Sequence, residues 1–505
     1  MTDSRRWWAL AAIMLSMLTI GFDATILNVA LPTLATALHT GTDGLQWIVN
    51  AYTLVFAGLL LPMGALGDRY GRKRLLLLGL ALFGGASVVA TCAGSVGALI
   101  AARALMGLAA AVLTPIGMAV LPVMFAPHER TKAISYAAIG MGLGIPLGPI
   151  IGGYLLRHFW WGSIFLVNVP VAALGLLAIG ALVPESRDPA PRRVDALGGV
   201  LSTAGLVSFV YGVIEIPRRG WDDGLVVASM VAGAALLAVF VAWERRTAEP
   251  MIDLGLFARP RFLWGAAALT LATFALFGLL FVVPQYLQDV RGNDALGTGL
   301  RLLPMMAGLI IGARVSEMVG RGLGAKVPVT TGLLLIAGGL ALGATTGVHN
   351  GYGHAAVWLT IVGCGTGLTL APAMDAVLGD LPPERSGAGS ALTMALRQVG
   401  GALGVALLGS LLAGAYTDRL VVTGLPAQAA DAARGSVAGA VAVAGRLHDA
   451  ALAASARTAY VHAMDVVLLA CGGVALLGAV LTAAFLPSRA GRPATAEEQI
   501  SVKVP

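Results

Sequence analysis

Two charged residues lie deep inside stretches that are otherwise too apolar to hold them. Asp23 sits in Gly21-Phe22-Asp23-Ala24-Thr25-Ile26-Leu27-Asn28, about 15 residues past Trp8 and so roughly 22 Å along a helix that starts there. Arg103 falls in the fourth apolar run, which begins near Val96 and heads the opposite way. It is roughly 10 Å deep, close to the level of Asp23. Ionisable groups inside such spans are functional candidates by default. A carboxylate there can take up and release a proton as its surroundings change, and an always-charged arginine favours the ionised form of an acid beside it. A contact made in one conformation and broken in another would couple motion to proton uptake, which makes Asp23 and Arg103 the candidate coupling pair.

Other residues could shape a cavity or a gate. Asn28 follows Asp23 in the same run, and Trp47, Asn50 and Tyr52 enter the second run from the same side as Arg103. Their polar and aromatic groups are candidates for a cavity lining, although interfacial belts give a similar pattern. The fifth run carries Gly140, Gly144, Gly148 and Gly152 at four-residue spacing, one face of a helix that allows close packing. Pro146 and Pro149 interrupt that run and free backbone groups, as expected of a hinge or seal. The turn Gly64-Ala65-Leu66-Gly67-Asp68-Arg69-Tyr70-Gly71-Arg72-Lys73-Arg74 sets one acid among four cations and suits a charge latch. Asp375 and Arg397 are a possible ion pair between neighbouring spans, more stabilising than transporting, while Arg314 and Glu317 read as a local pair three residues apart.

The elements that must position these groups follow from composition. Of 505 residues, 57% are hydrophobic and 12% charged, against about 25% charged in a typical soluble protein. The mean hydropathy is +0.84. Apolar runs fall at 8–31, 47–66, 75–93, 96–121, 133–155, 164–183, 196–216, 224–243, 262–286, 296–319, 327–347, 355–377, 388–413 and 461–486. Each is close to the 20 or so residues that cross a bilayer as a helix. The chain is thus expected to be an all-α polytopic membrane protein with fourteen transmembrane helices and no room for a soluble catalytic domain. The first run is too long for a signal-peptide core and is read as a retained helix. With the N-terminus inside, roughly 21 basic residues fall in cytoplasmic segments against about 8 outside, following the positive-inside rule. The net charge of +7 is then a topology signal, with no nucleic-acid partner and a minor attraction to lipid. Both termini are expected in the cytoplasm. The Ala/Gly-rich segment 414–460 falls outside and reads as mobile or loosely helical. Cys92, Cys364 and Cys471 lie in apolar runs and offer neither a disulfide framework nor a metal spacing.

The chain repeats itself. Pro127-His128-Glu129-Arg130-Thr131-Lys132-Ala133-Ile134-Ser135 matches Pro382-Pro383-Glu384-Arg385-Ser386-Gly387-Ala388-Gly389-Ser390, Gly71-Arg72-Lys73 matches Gly324-Ala325-Lys326, and Pro32 matches Pro284. All three pairs share an offset of about 250 residues, which implies two homologous halves with a site between them near the midplane. A six-helix half needs only about 180 residues, so the surplus holds two more spans. The order is six plus two plus six: 1–185 the first bundle, 186–261 two inserted helices, 262–487 the second bundle with its outer loop 414–460, and 488–505 a tail. The coupling pair has no counterpart in the second half, where Phe277 and Trp358 stand at the matching places.

These residues resemble a known family. The turn from Gly64 to Arg74 resembles the signature loop of the major facilitator superfamily, and Leu99-Ile100-Ala101-Ala102-Arg103-Ala104-Leu105-Met106-Gly107 resembles its fourth-helix arginine motif, with Met106 where a Gln is frequent. Gly144-Ile145-Pro146-Leu147-Gly148-Pro149-Ile150-Ile151-Gly152-Gly153 is similar to the antiporter motif of exporters in that superfamily. The stretch from Asp23 to Pro32, and Phe165-Leu166-Val167-Asn168-Val169-Pro170, resemble the fourteen-helix drug:proton antiporter branch. Its usual Trp-Arg-Trp lead-in is reduced here to Trp161-Gly162-Ser163.

The resemblance implies proton-driven efflux of lipophilic, cationic or neutral drugs or secondary metabolites, an antibiotic-resistance activity, from the cell membrane. It gives Asp23 a proton or substrate role, Arg103 the proton relay, the glycine motif the hinge, and Asp68 a latch against the thirteenth helix near Ser386. It implies a monomer and no cofactor beyond the proton gradient. A proton-coupled importer is the nearest alternative, but the E-x-x-E-R motif of peptide carriers is absent from the first run, which has the single Asp23. Enzyme and ATP-driven readings are disfavoured: the chain has no G-x-S-x-G, no H-E-x-x-H and no G-x-x-x-x-G-K-[ST].

Overall fold

Backbone groups inside a bilayer must pair within their own segment, so the apolar runs have one available form. A computed structural model describes residues 3–125, 127–187, 195–247, 250–348, 350–379, 381 and 383–488, and among these every long element is a helix. In chain order they are α1 Asp3–Ala37, α2 Thr42–Tyr70, α3 Arg72–Thr91, α4 Val96–Met124, α5 Pro127–His158, α6 Ser163–Leu166, α7 Asn168–Leu182, α8 Ala196–Arg219, α9 Gly224–Glu244, α10 Pro260–Gln285, α11 Ala295–Arg301, α12 Leu303–Leu323, α13 Lys326–Gly343, α14 Tyr352–Leu378, α15 Pro383–Arg419, α16 Ala427–Gly435, α17 Val437–Leu447 and α18 Ala450–Phe485. Thirteen spans among the described residues are long and apolar enough to cross a membrane. The 32-residue α5, lying along α1, takes the fourteenth place.

Polar residues set the starts of several helices. Ser95 accepts from Ala98 N at the start of α4, Asp195 from Gly198 N at α8, and Asp294 from Gly297 N at α11. Each satisfies a backbone donor that the first turn leaves open. Two expected spans are broken: the sixth divides at Val167 into α6 and α7, and the tenth divides at Leu302 into α11 and α12. The segment 414–460, expected to be mobile or loosely helical, takes the helical alternative. Helix α15 runs on to Arg419, and α16 and α17 follow, held by Tyr416 Oη donating to Ala433 O and Thr42 Oγ1 to Gly435 O. Small alanine side chains let these short helices sit close on the bundle.

The two halves share one packing plan. Helix α1 packs on α5 as α10 does on α15, α2 on α4 as α12 on α14, and α3 on α4 and α7 as α13 on α14 and α18. Burial ranks the spans: 72% of the apolar window is buried in both α1 and α10 but only 17% in α9, so the first two are central and the last is peripheral. The inserted α8 lies along α2, with Gly199 against Pro62, Gly58 against Thr203 and Trp47 against Tyr211.

The ends of the molecule differ. The one carrying Arg5 and the turn at Gly71 is called here the basic end. The hydrogen bonds that cross between the halves cluster at the opposite, far end. There Gln46 Nε2 donates to Val405 O at 3.0 Å and Ala406 O at 2.7 Å, and Gln288 Nε2 donates to Val29 O at 2.8 Å. Ser410, beside Gln46, donates in turn to Val213 O of α8, so the inserted pair joins this closure.

Candidate functional site

Helices α1 and α4 carry the coupling pair to one point. Arg103 Nη1 donates to Asp23 Oδ2 at 2.5 Å, with Asp23 fully buried and Arg103 1% exposed. Arg103 Nε also donates to Ile48 O at 3.2 Å, and its guanidinium lies 4.5 Å from the centre of the Tyr52 ring. A buried charge pair of this kind persists because each charge meets the other and the remaining donors find acceptors. Asn168, at the first position of α7, donates Nδ2 to the other carboxylate oxygen of Asp23 at 3.4 Å. The sequence reading did not single out Asn168 as a site residue. Its signal was there, as an asparagine inside the apolar Phe165–Pro170 stretch already noted for its resemblance.

A narrow cleft of about 10 Å³, room for roughly one water, lies beside the pair, lined by Ala24, Leu27, Asn28, Val49, Tyr52, Thr53 and Arg103 from the first half. Phe277 and Gln398 close it from the second half. Phe277 stands at the repeat position of Asp23, so an aromatic face meets the charged side across the midline. The lining mixes aliphatic, amide, hydroxyl and aromatic groups with the guanidinium of Arg103, which is paired with Asp23.

Sequence expectation and structure part company over Trp47, which packs its ring on Tyr211 of α8, 6.0 Å between centroids, instead of facing this cleft. Asn50 is fully buried with both side-chain polar atoms unpartnered, as is Tyr52 Oη. The Asp375–Arg397 pair is not formed either. Arg397 Nε reaches Thr273 Oγ1 at 3.5 Å, while Asp375 lies in a second hollow at the basic end with Arg261 and Glu317. Asp375 lies within a turn of the basic end of α14, whereas Arg397 lies fourteen residues into α15, so the two stand at different levels. Arg314 and Glu317 do pair, at 3.2 Å.

The glycine stripe seats the helix that carries Asp23. A Cβ on Gly140 would press on Met14, one on Gly144 would collide with the backbone of Leu18 and Phe22, and one on Gly148 with Thr25. Gly152 faces Ile26 in the same register. Helix α5 continues through Pro146 and Pro149, and the Pro149 carbonyl lies against Gly299 of α11, so the stripe's far end abuts the second half. The Pro146 side chain lies outside the described residues.

At the basic end Gly64 rests on Pro115 of α4, and Asp68 accepts from Arg72 Nε at 2.9 Å and lies 2.7 Å from Arg72 Nη2. Asp68 is engaged by Arg72 within its own turn, and the expected latch to the thirteenth span near Ser386 falls on side chains outside the described residues. Arg69 lies over the Tyr70 ring. Gly71 adopts φ +114°, and a Cβ there would lie 2.7 Å from Glu185 Oε1. Glu185, just past α7, accepts from Lys73 N at 3.2 Å, while Lys73 Nζ donates to Gly180 O at 2.6 Å. Glycine is required here for both the backbone angle and the close approach. The second half repeats the device without the acid. Gly324, φ +69°, abuts the backbone of Ser488 just past α18.

Two bundles of like plan, closed over a central cleft with a buried charge pair, define a membrane transporter. The Major Facilitator Superfamily model matches residues 13–405. The chain belongs to that superfamily. It is 32% identical over 489 residues to the tetracenomycin C resistance and export protein of Streptomyces glaucescens, covering 94% of this chain and 91% of that one. It is 36% identical over 469 residues to the multidrug efflux pump LfrA of Mycolicibacterium smegmatis, covering 91% and 92%. Among solved structures, a bacterial homolog of the human lysosomal transporter Spinster superposes with a TM-score of 0.67 at 18% identity, over 98% of this chain and all of that one. The peptide-family transporter PepTSo gives 0.65 at 14% identity, over 96% and 98%. At those identities the likeness speaks for the fold.

Proposed function

We propose that this protein is a proton-coupled efflux antiporter that exports lipophilic, cationic or neutral compounds across the cell membrane. The observation that carries the reading is the fully buried Asp23–Arg103 pair beside the central cleft. The names of the two relatives point the same way, to tetracenomycin C resistance and export and to multidrug efflux. The basic end, rich in Arg and Lys, faces the cytoplasm, with both chain termini on that side. In the present conformation the far end is closed by Gln46 and Gln288, so cargo enters from the cytoplasm. Protonation of Asp23 releases Arg103, and loss of that proton restores the pair. Proton movement is thereby tied to the change of access. The proton gradient is the energy source and no cofactor is needed.

The test is proton and cargo flux in proteoliposomes, with ethidium as the probe, for wild type and Asp23→Asn. An imposed pH gradient should drive ethidium accumulation against counter-flow of protons in the wild type alone. Movement of protons and ethidium in one direction would establish symport instead. Undiminished coupling in Asp23→Asn would place the proton carrier elsewhere.

A further inference from the structure

Among the described residues, the amide oxygen of Asn168 has no hydrogen-bond partner. Its side chain is 1% exposed, its nitrogen donates to Asp23 Oδ1 at 3.4 Å, and its own Oδ1 is buried without a partner. A buried acceptor left open is costly and calls for an explanation. The geometry around it is set by the backbone: the helix is interrupted at Val167, α7 restarts at Asn168, and Pro170 occupies the first turn, where its missing N–H is tolerated. Asn168 is therefore held at a helix start with its head group against the carboxyl of Asp23.

The groups that face Asp23 are few. Arg103 comes from α4 and Tyr52, stacked on Arg103, from α2. Helix α5 brings the glycine stripe, with Gly148 against Thr25, and α10 contributes the uncharged Phe277 to the cleft. Among the described residues, Asn168 from α7 is the amide bonded to the carboxyl. An ionised carboxylate only accepts hydrogen bonds, whereas the protonated acid also donates one. A carboxamide can serve both states: its N–H₂ donates to the carboxylate and its oxygen accepts from the acid. Arginine serves only the ionised state, since it has no acceptor.

We infer that Asn168 is the positioning residue for the protonated state of Asp23, taking the acid O–H on its free oxygen when Arg103 withdraws. The step is a proton arriving on Asp23 and the Arg103 N–H···O bond being exchanged for an Asp23 O–H···O bond to Asn168. The long 3.4 Å bond seen with Asp23 paired to Arg103 is then the weaker half of the arrangement, and the neutral state gains the stronger one. This inference rests on Asp23 being the proton carrier.

The test is the pH dependence of ethidium–proton exchange in proteoliposomes. Asn168→Leu keeps the bulk and removes both bonds, and Asn168→Ala does so with less bulk should the first fail to fold. With the protonated state less stabilised, half-maximal exchange should move to lower pH by about one unit, a tenfold rise in proton activity. Asn168→Ser, whose hydroxyl can still accept, should hold the midpoint closer to that of the wild type. A fall in maximal rate with the midpoint unmoved in both apolar variants would overturn the inference and leave Asn168 a packing residue. Asp23→Asn in the same assay separates the two claims: if it still couples, the carrier assignment fails, whatever Asn168 does.

Discussion

Asp23 and Arg103, eighty residues apart in sequence, share a single buried contact in which neither charge meets solvent. Removing one partner of such a pair leaves the other uncompensated, at a cost of about 3–5 kcal/mol. Arg103→Met should therefore lower the melting temperature in detergent clearly, and Arg103→Met combined with Asp23→Asn should recover most of the loss. A double variant whose loss equals the sum of the two single losses would mean the two residues act independently.

The glycine stripe yields a contrast between two alanine substitutions. Gly144→Ala places a methyl against the backbone of Leu18 and Phe22, whereas Gly85 on α3 has open space around it. Overpacking at such a contact costs about 1–3 kcal/mol. Transport should fall about tenfold or more in Gly144→Ala at equal expression, and Gly85→Ala should match wild type. Comparable rates in both would show that α1 and α5 can separate freely.

Closure of the far end can be read by chemical labelling. In a background with Cys92, Cys364 and Cys471 replaced, Ser410→Cys should react slowly with a membrane-impermeant maleimide added from outside. Adding Gln46→Leu removes the donor to Val405 O and Ala406 O and should raise the labelling rate several-fold. An unchanged rate would assign the closure to packing alone.

At the basic end Glu185 holds the Gly71 turn by accepting from Lys73 N, with Arg74 at 3.6 Å. These are exposed groups, so Glu185→Ala should change stability by no more than about 1 kcal/mol. The turn itself should loosen. Trypsin added to inside-out vesicles should cut between Arg69 and Arg74 faster than in wild type, as read by fragment mass. Equal cleavage would show that Asp68 and Arg72 suffice to hold the turn.

Much of the fold was legible because its causes are local. Apolar runs of membrane length must form helices, and the offset shared by Pro32 and Pro284 already marked the first and ninth runs as repeats of one another. The sequence left segment 414–460 open between mobile and loosely helical because its Ala/Gly composition carries little signal until α16 and α17 find a surface to pack on. The charge pair was legible for a similar reason: a lone Asp23 and a lone Arg103 stand out against apolar neighbours, and helical rise places them at one depth. Asp375 and Arg397 lacked that match: Asp375 sits near the basic end of α14 and Arg397 fourteen residues into α15, and the reach of the arginine does not close the gap.

The amino-acid sequence by itself determined the spans, the duplication with its inserted pair, and the level in the membrane at which charge would sit. These follow from hydrophobic length and the obligation of each backbone group to bond within its own segment. Only the tertiary structure decided that Trp47 turns to Tyr211, that Gln46 and Ser410 link both halves with α8, that Glu185 grips Gly71, and that Asn168 holds the second oxygen of Asp23. Each of those contacts joins segments far apart in the chain, and each exists only once the helices have taken their rotations and their crossing points.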